Sequence, residues 1–354
     1  MMSDKVRVGV IGAGVWAQIS HIPNLLKRAG EIELVGVCRK GTRELRDIKD
    51  KFGFAMASED YRDVLSEGVD YCVVSSPVGF HHEQCLAAME SGAHVLLEKP
   101  VTIDRAQAWG LVDAARDLRR HVVVAFGWNY LPTFVEARRL WGERGVGEIE
   151  HVMIHMGSGT RQLLEGSSLH SAGPTEEVVD TRTWTDPAIS GGGYGQAQLT
   201  HILAWALGVT GLTAQSVFAL ASQPAGAPVE LHDSYSIRFE GGATGSVSGA
   251  SFHSGCQSDR HQYEIRVFGS EGQLHADLER DRLWLWREDG TEVEVDLPRN
   301  AGAYHCQGPI DTLLDLVQGK PVVNHSPIEL GARTVDVLSA AYRSIDTGRL
   351  EQVV

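Results

Sequence analysis

The sequence predicts an α/β protein: an N-terminal doubly wound parallel sheet followed by a C-terminal α+β domain with a mostly antiparallel open sheet. Three observations carry this prediction. An apolar strand, Val6 to Ile11, runs straight into Gly12-Ala13-Gly14-Val15-Trp16-Ala17 and then into a helical pattern. Apolar runs alternate with helical segments through the first 126 residues, the connection that parallel strands require. From about Tyr130 the pattern changes to short alternating strands joined by glycine turns, which marks antiparallel pairs. We place the domains at 1–126 and 127–354.

The first turn is the dinucleotide pyrophosphate pattern of a Rossmann unit. Gly12 permits the tight turn, Gly14 lets backbone N–H groups approach the phosphates, and Ala17 is small enough for close packing of helix on strand. The helix N-terminus adds partial positive charge. Gly12, Gly14, Val15, Trp16 and Ala17 are therefore candidate cofactor-binding residues. Ile32 to Cys38 reads as the next buried strand. An acid usually ends this strand where NAD is preferred, but Arg39, Lys40 and Thr42 stand here. Two cations with a nearby hydroxyl, and no carboxylate to repel it, suit the 2′-phosphate of NADP. NADP is the expected cofactor and NAD the alternative; a solvated basic loop is the plainer reading of the same residues. Further strands end at Ser76-Pro77, at Glu98-Lys99-Pro100 and before Gly127-Trp128-Asn129. Ligands of doubly wound sheets bind beyond such carboxyl ends.

Composition narrows the function classes. A chain of 354 residues, 43 % hydrophobic, buries a core large enough for two domains. Its formal charge of −14 disfavours nucleic acid and anionic membrane as partners. The first strand starts too early to leave room for a signal peptide, and no apolar run reaches the ~18 residues of a membrane span. Five scattered cysteines without a Cys-x-x-Cys pair argue against a disulfide framework or a zinc site. A reduced, cytoplasmic protein is expected.

Taken together, these motifs resemble the glucose–fructose oxidoreductase / inositol dehydrogenase / MocA (Gfo/Idh/MocA) family. The match rests on the Gly12/Gly14/Ala17 turn, Ser76-Pro77 with His81, Glu98-Lys99-Pro100, Gly127-x-Asn129, Ser190-Gly191-Gly192-Gly193 and His201, and it covers nearly the whole chain in order. The resemblance implies that Lys99 lies beside the nicotinamide and the reacting hydroxyl or carbonyl, and that His201 is the catalytic histidine. It adds Ser76, Pro77, His81, Glu98, Lys99 and Asn129 to the cofactor-binding set. It also implies subunit contacts through the open sheet, hence a homodimer or homotetramer. On physical grounds, partial burial of Lys99 disfavours its ammonium form and brings it toward a pKa useful for proton transfer. A surface lysine paired with Glu98 is the plainer alternative.

Helical spacing places Tyr194, Gln198, His201 and Trp205 near one face. Here the chain departs from its family. Many members carry an aspartate four residues before the histidine and a second acid three residues after it; this chain has Ala197 and Ala204. Candidate substrate-binding groups are then Gln198, His201, Trp184 and Arg182, although Arg182 could equally neutralise Asp180 or Asp186. His151, His155 and His170 with Glu165 fit no standard metal spacing and read as loop histidines; no metal is expected. The leading expectation is an NADP(H)-dependent oxidoreductase moving hydride to or from a sugar, polyol or cyclitol, with Lys99 and His201 handling the proton. Two alternatives stay open: an enzyme that retains NAD for transient sugar oxidation and elimination, and a dinucleotide-binding regulator without chemistry.

Overall fold

The structure, a computed structural model, describes residues 5–167, 180–224, 226–253 and 261–354. They form two compact units. The first comprises residues 5–127 with 305–332; the second takes the described residues between 128 and 304 together with 333–354. Among the described residues no helix is long and apolar enough to cross a membrane.

The first unit is a six-stranded parallel sheet. Its strands are β1 (Val6–Ile11), β2 (Ile32–Cys38), β3 (Met56–Ser58), β4 (Tyr71–Val74), β5 (His94–Leu97) and β6 (Val122–Val124), in the order β3-β2-β1-β4-β5-β6. Continuous Val, Ile and Leu runs suit strands covered on both faces, and β4 and β6 are buried throughout. The strand order reverses between β1 and β4, so the crevice at their carboxyl ends lies between Gly12 and Ser76. The C-terminal segment contributes to this unit as well as to the second. Helix Gln307–Val317 is tied to the first helical segment through Arg28, whose guanidinium bonds Asp311 at 3.1 Å and Asp315 at 3.0 Å. Ser326 donates to the Val124 carbonyl at 2.6 Å.

The second unit is a nine-stranded sheet: β7 (Ile149–Ser158), β8 (Ala214–Ser222), β9 (His232–Phe239), β10 (Thr244–Ser251), β11 (Gln262–Gly269), β12 (Gly272–Asp277), β13 (Arg282–Arg287), β14 (Glu292–Glu294) and β15 (Glu351–Gln352). The order is β14-β13-β12-β11-β7-β10-β9-β8-β15, antiparallel except between β7 and β10. Residues in β9 alternate between buried and exposed, as expected when one face is packed and the other open. The packed face lies against helix Thr200–Thr210, which is buried from Thr200 to Val209. One expectation is corrected here: His151 and His155 are strand residues of β7 rather than loop residues. Their imidazoles face Thr244 at 2.9 Å and Gln262 at 3.4 Å. His170 and Cys256 lie outside the described residues; the other four cysteines are buried and in no disulfide among the described residues.

Candidate active site

Gly12 follows β1 with φ +83°, and its N–H and that of Ala13 both donate to the Cys38 carbonyl, at 2.9 and 3.0 Å. A Cβ on Gly12 would collide with the Ser76 backbone. In front of Gly14 a Cβ would meet nothing within 4 Å. The turn is thus closed on the sheet side and open on the other, which is the cradle a pyrophosphate requires. The helix begins at Val15, and after Trp16 the five residues Ala17–His21 form a π-turn before α-helical geometry resumes at Ile22. Such insertions re-aim side chains and recur at functional sites.

At the end of β2, the Arg39 guanidinium approaches the Ala13 carbonyl at 3.5 Å and so lies over the glycine turn. Lys40 is exposed. Thr42 is turned differently from the sequence reading: its hydroxyl donates to Glu59 at 2.7 Å. Strand β3 pairs with the end of β2 (Cys38 opposite Ser58), and this brings Glu59 to the loop. The expectation that no carboxylate is near this loop is therefore corrected.

The ends of β4 and β5 carry a denser arrangement. Ser76 donates its hydroxyl to Gln84 at 2.5 Å, and Pro77 leads into a short turn, Val78–Phe80. His81 is buried with both ring nitrogens on backbone carbonyls, Nδ1 at 2.8 Å from Pro100 and Nε2 at 2.8 Å from Ser76. Through these two bonds the His81 ring joins the ends of β4 and β5. Burial lowers its pKa against the pull of those two carbonyls. Glu98 is buried and accepts three hydrogen bonds: from Trp16 Nε1 at 2.9 Å, His21 Nε2 at 2.8 Å and the Lys99 N–H at 2.9 Å. Burial pushes this carboxyl up, but the His21 hydrogen bond and the charges of His21 and Lys99 outweigh it and hold the group below the usual range. The Lys99–Pro100 peptide is cis. Lys99 keeps partial solvent exposure, yet the protein around it is dense enough that burial lowers its pKa, opposed by the charge of Glu98.

In the second unit, Asn129 is fully buried and donates to the Ala204 carbonyl at 3.4 Å. His201 lies edge-on to Trp128 (4.8 Å between ring centroids) and to Tyr304 (5.4 Å), while Tyr263 donates its hydroxyl to the His201 carbonyl at 3.1 Å. The helix carrying it opens with a second π-turn, Gly195–Leu199. The extra residue breaks the expected face. Tyr194 points into the sheet and donates to the Met156 carbonyl at 3.0 Å, and Trp205 packs on Phe134. Gln198 stays partly exposed, whereas Ala197 and Ala204 are buried. Trp184 is half-buried, and Arg182 is exposed and paired bidentately with Asp180 at 3.0 and 2.7 Å. That pairing matches the neutralising alternative for Arg182.

Known proteins share this architecture. A family description reading "Oxidoreductase family, NAD-binding Rossmann fold" matches residues 6–126, and the GFO/IDH/MocA C-terminal domain matches residues 134–275. The chain belongs to the Gfo/Idh/MocA family. It is 34 % identical over 131 residues to a D-glucoside 3-dehydrogenase of Escherichia coli, an alignment spanning 37 % of this chain and 36 % of that protein. It is 26 % identical over 145 residues to an inositol 2-dehydrogenase/D-chiro-inositol 3-dehydrogenase of Lactiplantibacillus plantarum, spanning 40 % and 41 %. The chain thus spans under half the length of these curated relatives. In fold it is similar to a levoglucosan dehydrogenase solved with NADH and levoglucosan, with TM-score 0.78 over 99 % of this chain and 100 % of that one at 19 % identity.

For a Gfo/Idh/MocA chain, the residues the sequence reading missed are those behind the glycine segment. Glu230 accepts the Gly193 N–H on both oxygens (2.8 and 2.9 Å), the Gly195 N–H at 3.2 Å and the Tyr342 hydroxyl at 2.5 Å. Asp233, equally buried, accepts the Tyr235 hydroxyl at 3.0 Å. Burial raises the pKa of Glu230, and burial together with the Glu230 charge raises that of Asp233. His21 was also missed, although its place one helical turn beyond Ala17 was a usable signal. No cluster of three metal-ligating side chains occurs among the described residues.

Proposed function

We propose that this protein is an NADP(H)-dependent oxidoreductase acting on a secondary alcohol or ketone of a sugar, polyol or cyclitol. The observation that carries the reading is Lys99: a lysine at the carboxyl end of β5, half-buried, with its ammonium disfavoured by burial and its backbone held by Glu98, in the unit that carries the glycine turn. A dinucleotide held there supplies or accepts the hydride. Gly12 and Gly14 shape its cradle, Val15 to Ala17 present the helix N-terminus, and Arg39 lies over the turn. In the oxidative direction Lys99 Nζ accepts the hydroxyl proton as the carbon gives up hydride; in the reductive direction it returns that proton to the carbonyl oxygen. His201 is assigned the assisting role, with its ring held by Trp128 and Tyr304, and Gln198 and Trp184 the contacts to substrate hydroxyls. The names of the relatives, a glucoside dehydrogenase and an inositol dehydrogenase, support a polyhydroxylated substrate.

Lys99→Ala is expected to lower kcat/KM by about 10²- to 10⁴-fold, the usual worth of a general acid–base group, with dinucleotide affinity retained. Loss of dinucleotide binding in the folded variant would sink the catalytic assignment.

The choice of NADP(H) rests on Arg39. Glu59 is the observation that favours NAD(H) instead, because a carboxylate at the end of β2 repels a 2′-phosphate and can accept from a ribose hydroxyl. Fluorescence titration with NADPH and NADH separates the two, and Arg39→Asp is expected to swing preference toward NADH. An unchanged ratio refutes the role of Arg39. We further assign the open sheet face to self-association as a homodimer or homotetramer; it carries the stacked rings of His275, Trp284 and Trp286. A monomer in equilibrium sedimentation would remove that assignment.

A further inference from the structure

The Glu98 carboxylate accepts three hydrogen bonds. Oε1 takes the Trp16 indole N–H and His21 Nε2, and Oε2 takes the Lys99 N–H. Trp16 and His21 both belong to the helical segment whose N-terminus faces the open side of Gly14. His21 is fully buried, and its Nδ1 has no hydrogen-bond partner among the described residues. With Glu98 ionised, Nε2 must carry the donated proton. The π-turn Ala17–His21 widens the helix by one residue across this span, which lets Trp16 and His21, five positions apart, converge on one carboxylate oxygen.

We propose that Glu98 is a positioning residue for Lys99: clamped by Trp16 and His21, it accepts the Lys99 backbone N–H and holds a negative charge at the position next to Lys99 in the chain. The proposal rests on the reading of Lys99 as the proton-handling group, but it makes a claim about that group that stands without turnover. Lys99 faces Glu98 and, from the segment after β14, Cys306; Glu98 faces His21, Lys99 and His81. Removing the Glu98 charge removes an influence that favours the Lys99 ammonium, so that ammonium becomes easier to deprotonate.

The experiment is competitive acylation of the dinucleotide-free protein across the neutral to alkaline range, with mass spectrometry of the peptide containing Lys99. In Glu98→Gln the Lys99 midpoint is expected to move down by roughly one pH unit, and the pH–rate limb that follows Lys99 to move with it. A midpoint that stays put or rises in the folded variant overturns the proposal. If turnover survives Lys99→Ala while the midpoint still moves, the catalytic reading fails and the electrostatic one stands. Where Glu98→Gln does not fold, the parent protein supplies the test through the Trp16 indole N–H resonance, identified with Trp16→Phe. That resonance is expected to stay unchanged as acid is added through the ordinary carboxylate range, because Glu98 remains ionised there. A transition at or above that range overturns the clamp.

Discussion

Each unit contains a glycine-rich turn, a helix that opens with a π-turn, and a buried carboxylate anchored against that turn; the two anchors manage charge in opposite ways. Glu98 of the first unit is surrounded by an imidazole, an indole N–H and a lysine, and is held below the ordinary carboxylate range. Among the described residues, Glu230 of the second unit has neutral hydrogen-bond partners, two backbone N–H groups and Tyr342, with a second carboxylate, Asp233, as neighbour. Both Glu230 and Asp233 are pushed upward. The lesson is that buried hydrogen bonds of similar length satisfy a carboxylate geometrically in either place, but only a nearby cation keeps it ionised. The first anchor is therefore built to withstand acid and the second to withstand loss of charge, consistent with the proposal that only the first has a lysine to tune.

The strongest test of the shared design is at the glycines. A Cβ at Gly12 would strike the Ser76 backbone, where φ is already +83°, and a Cβ at Gly193 would strike the Glu230 carbonyl oxygen. Backbone against backbone leaves no soft side chain to yield. Gly12→Ala and Gly193→Ala are each expected to cost about 3 kcal/mol or more in chemical denaturation. Gly14→Ala, which has open space before it, is expected to leave stability nearly unchanged and to weaken dinucleotide binding. Equal stability losses at Gly12 and Gly14 would show that the turn is not closed on one side as described.

How much of this was readable in advance follows the distance between partners. Gly12, Gly14 and Lys99 were legible because turn chemistry and strand ends are local. The Gly193–Glu230 bond spans 37 residues and the Tyr342–Glu230 bond 112, and no periodicity links them. The π-turns were invisible for a related reason: one inserted residue shifts the helical register, so Tyr194 bonds Met156 instead of sharing a face with His201. Strand β7 carries two histidines and two methionines in an irregular pattern, and it sits between β10 and β11 in mid-sheet without a hairpin turn to announce it. At the loop after β2 the error was a tertiary one. Glu59 is remote from Arg39 in sequence and reaches the same loop only because β3 pairs with β2.

The smaller and sharper test of the two anchors is Asp233→Asn. Asp233 is raised above its ordinary value in the folded protein by burial and by Glu230, so the folded state holds a proton that the unfolded chain releases. Stability from this group is fully present below the unfolded pKa and is lost as pH rises toward the folded one, by about 1.4 kcal/mol for each pH unit between them. Asparagine keeps the acceptor for the Tyr235 hydroxyl and never ionises. The variant should match the parent below the ordinary aspartate value, gain on it by about 1.4 kcal/mol for each pH unit above that value, and level off once the parent group has ionised. Glu98 has the opposite sign, since a depressed carboxylate contributes stability above its unfolded pKa and loses it as pH falls through the folded one. Denaturation curves collected across pH for parent and variant therefore separate the anchors: the acid-side loss should persist in Asp233→Asn and the alkaline-side loss should shrink. A parent curve that instead rises with pH through the range above the ordinary carboxylate value would mean that Asp233 is ionised in the fold and that the contrast between the two units is false.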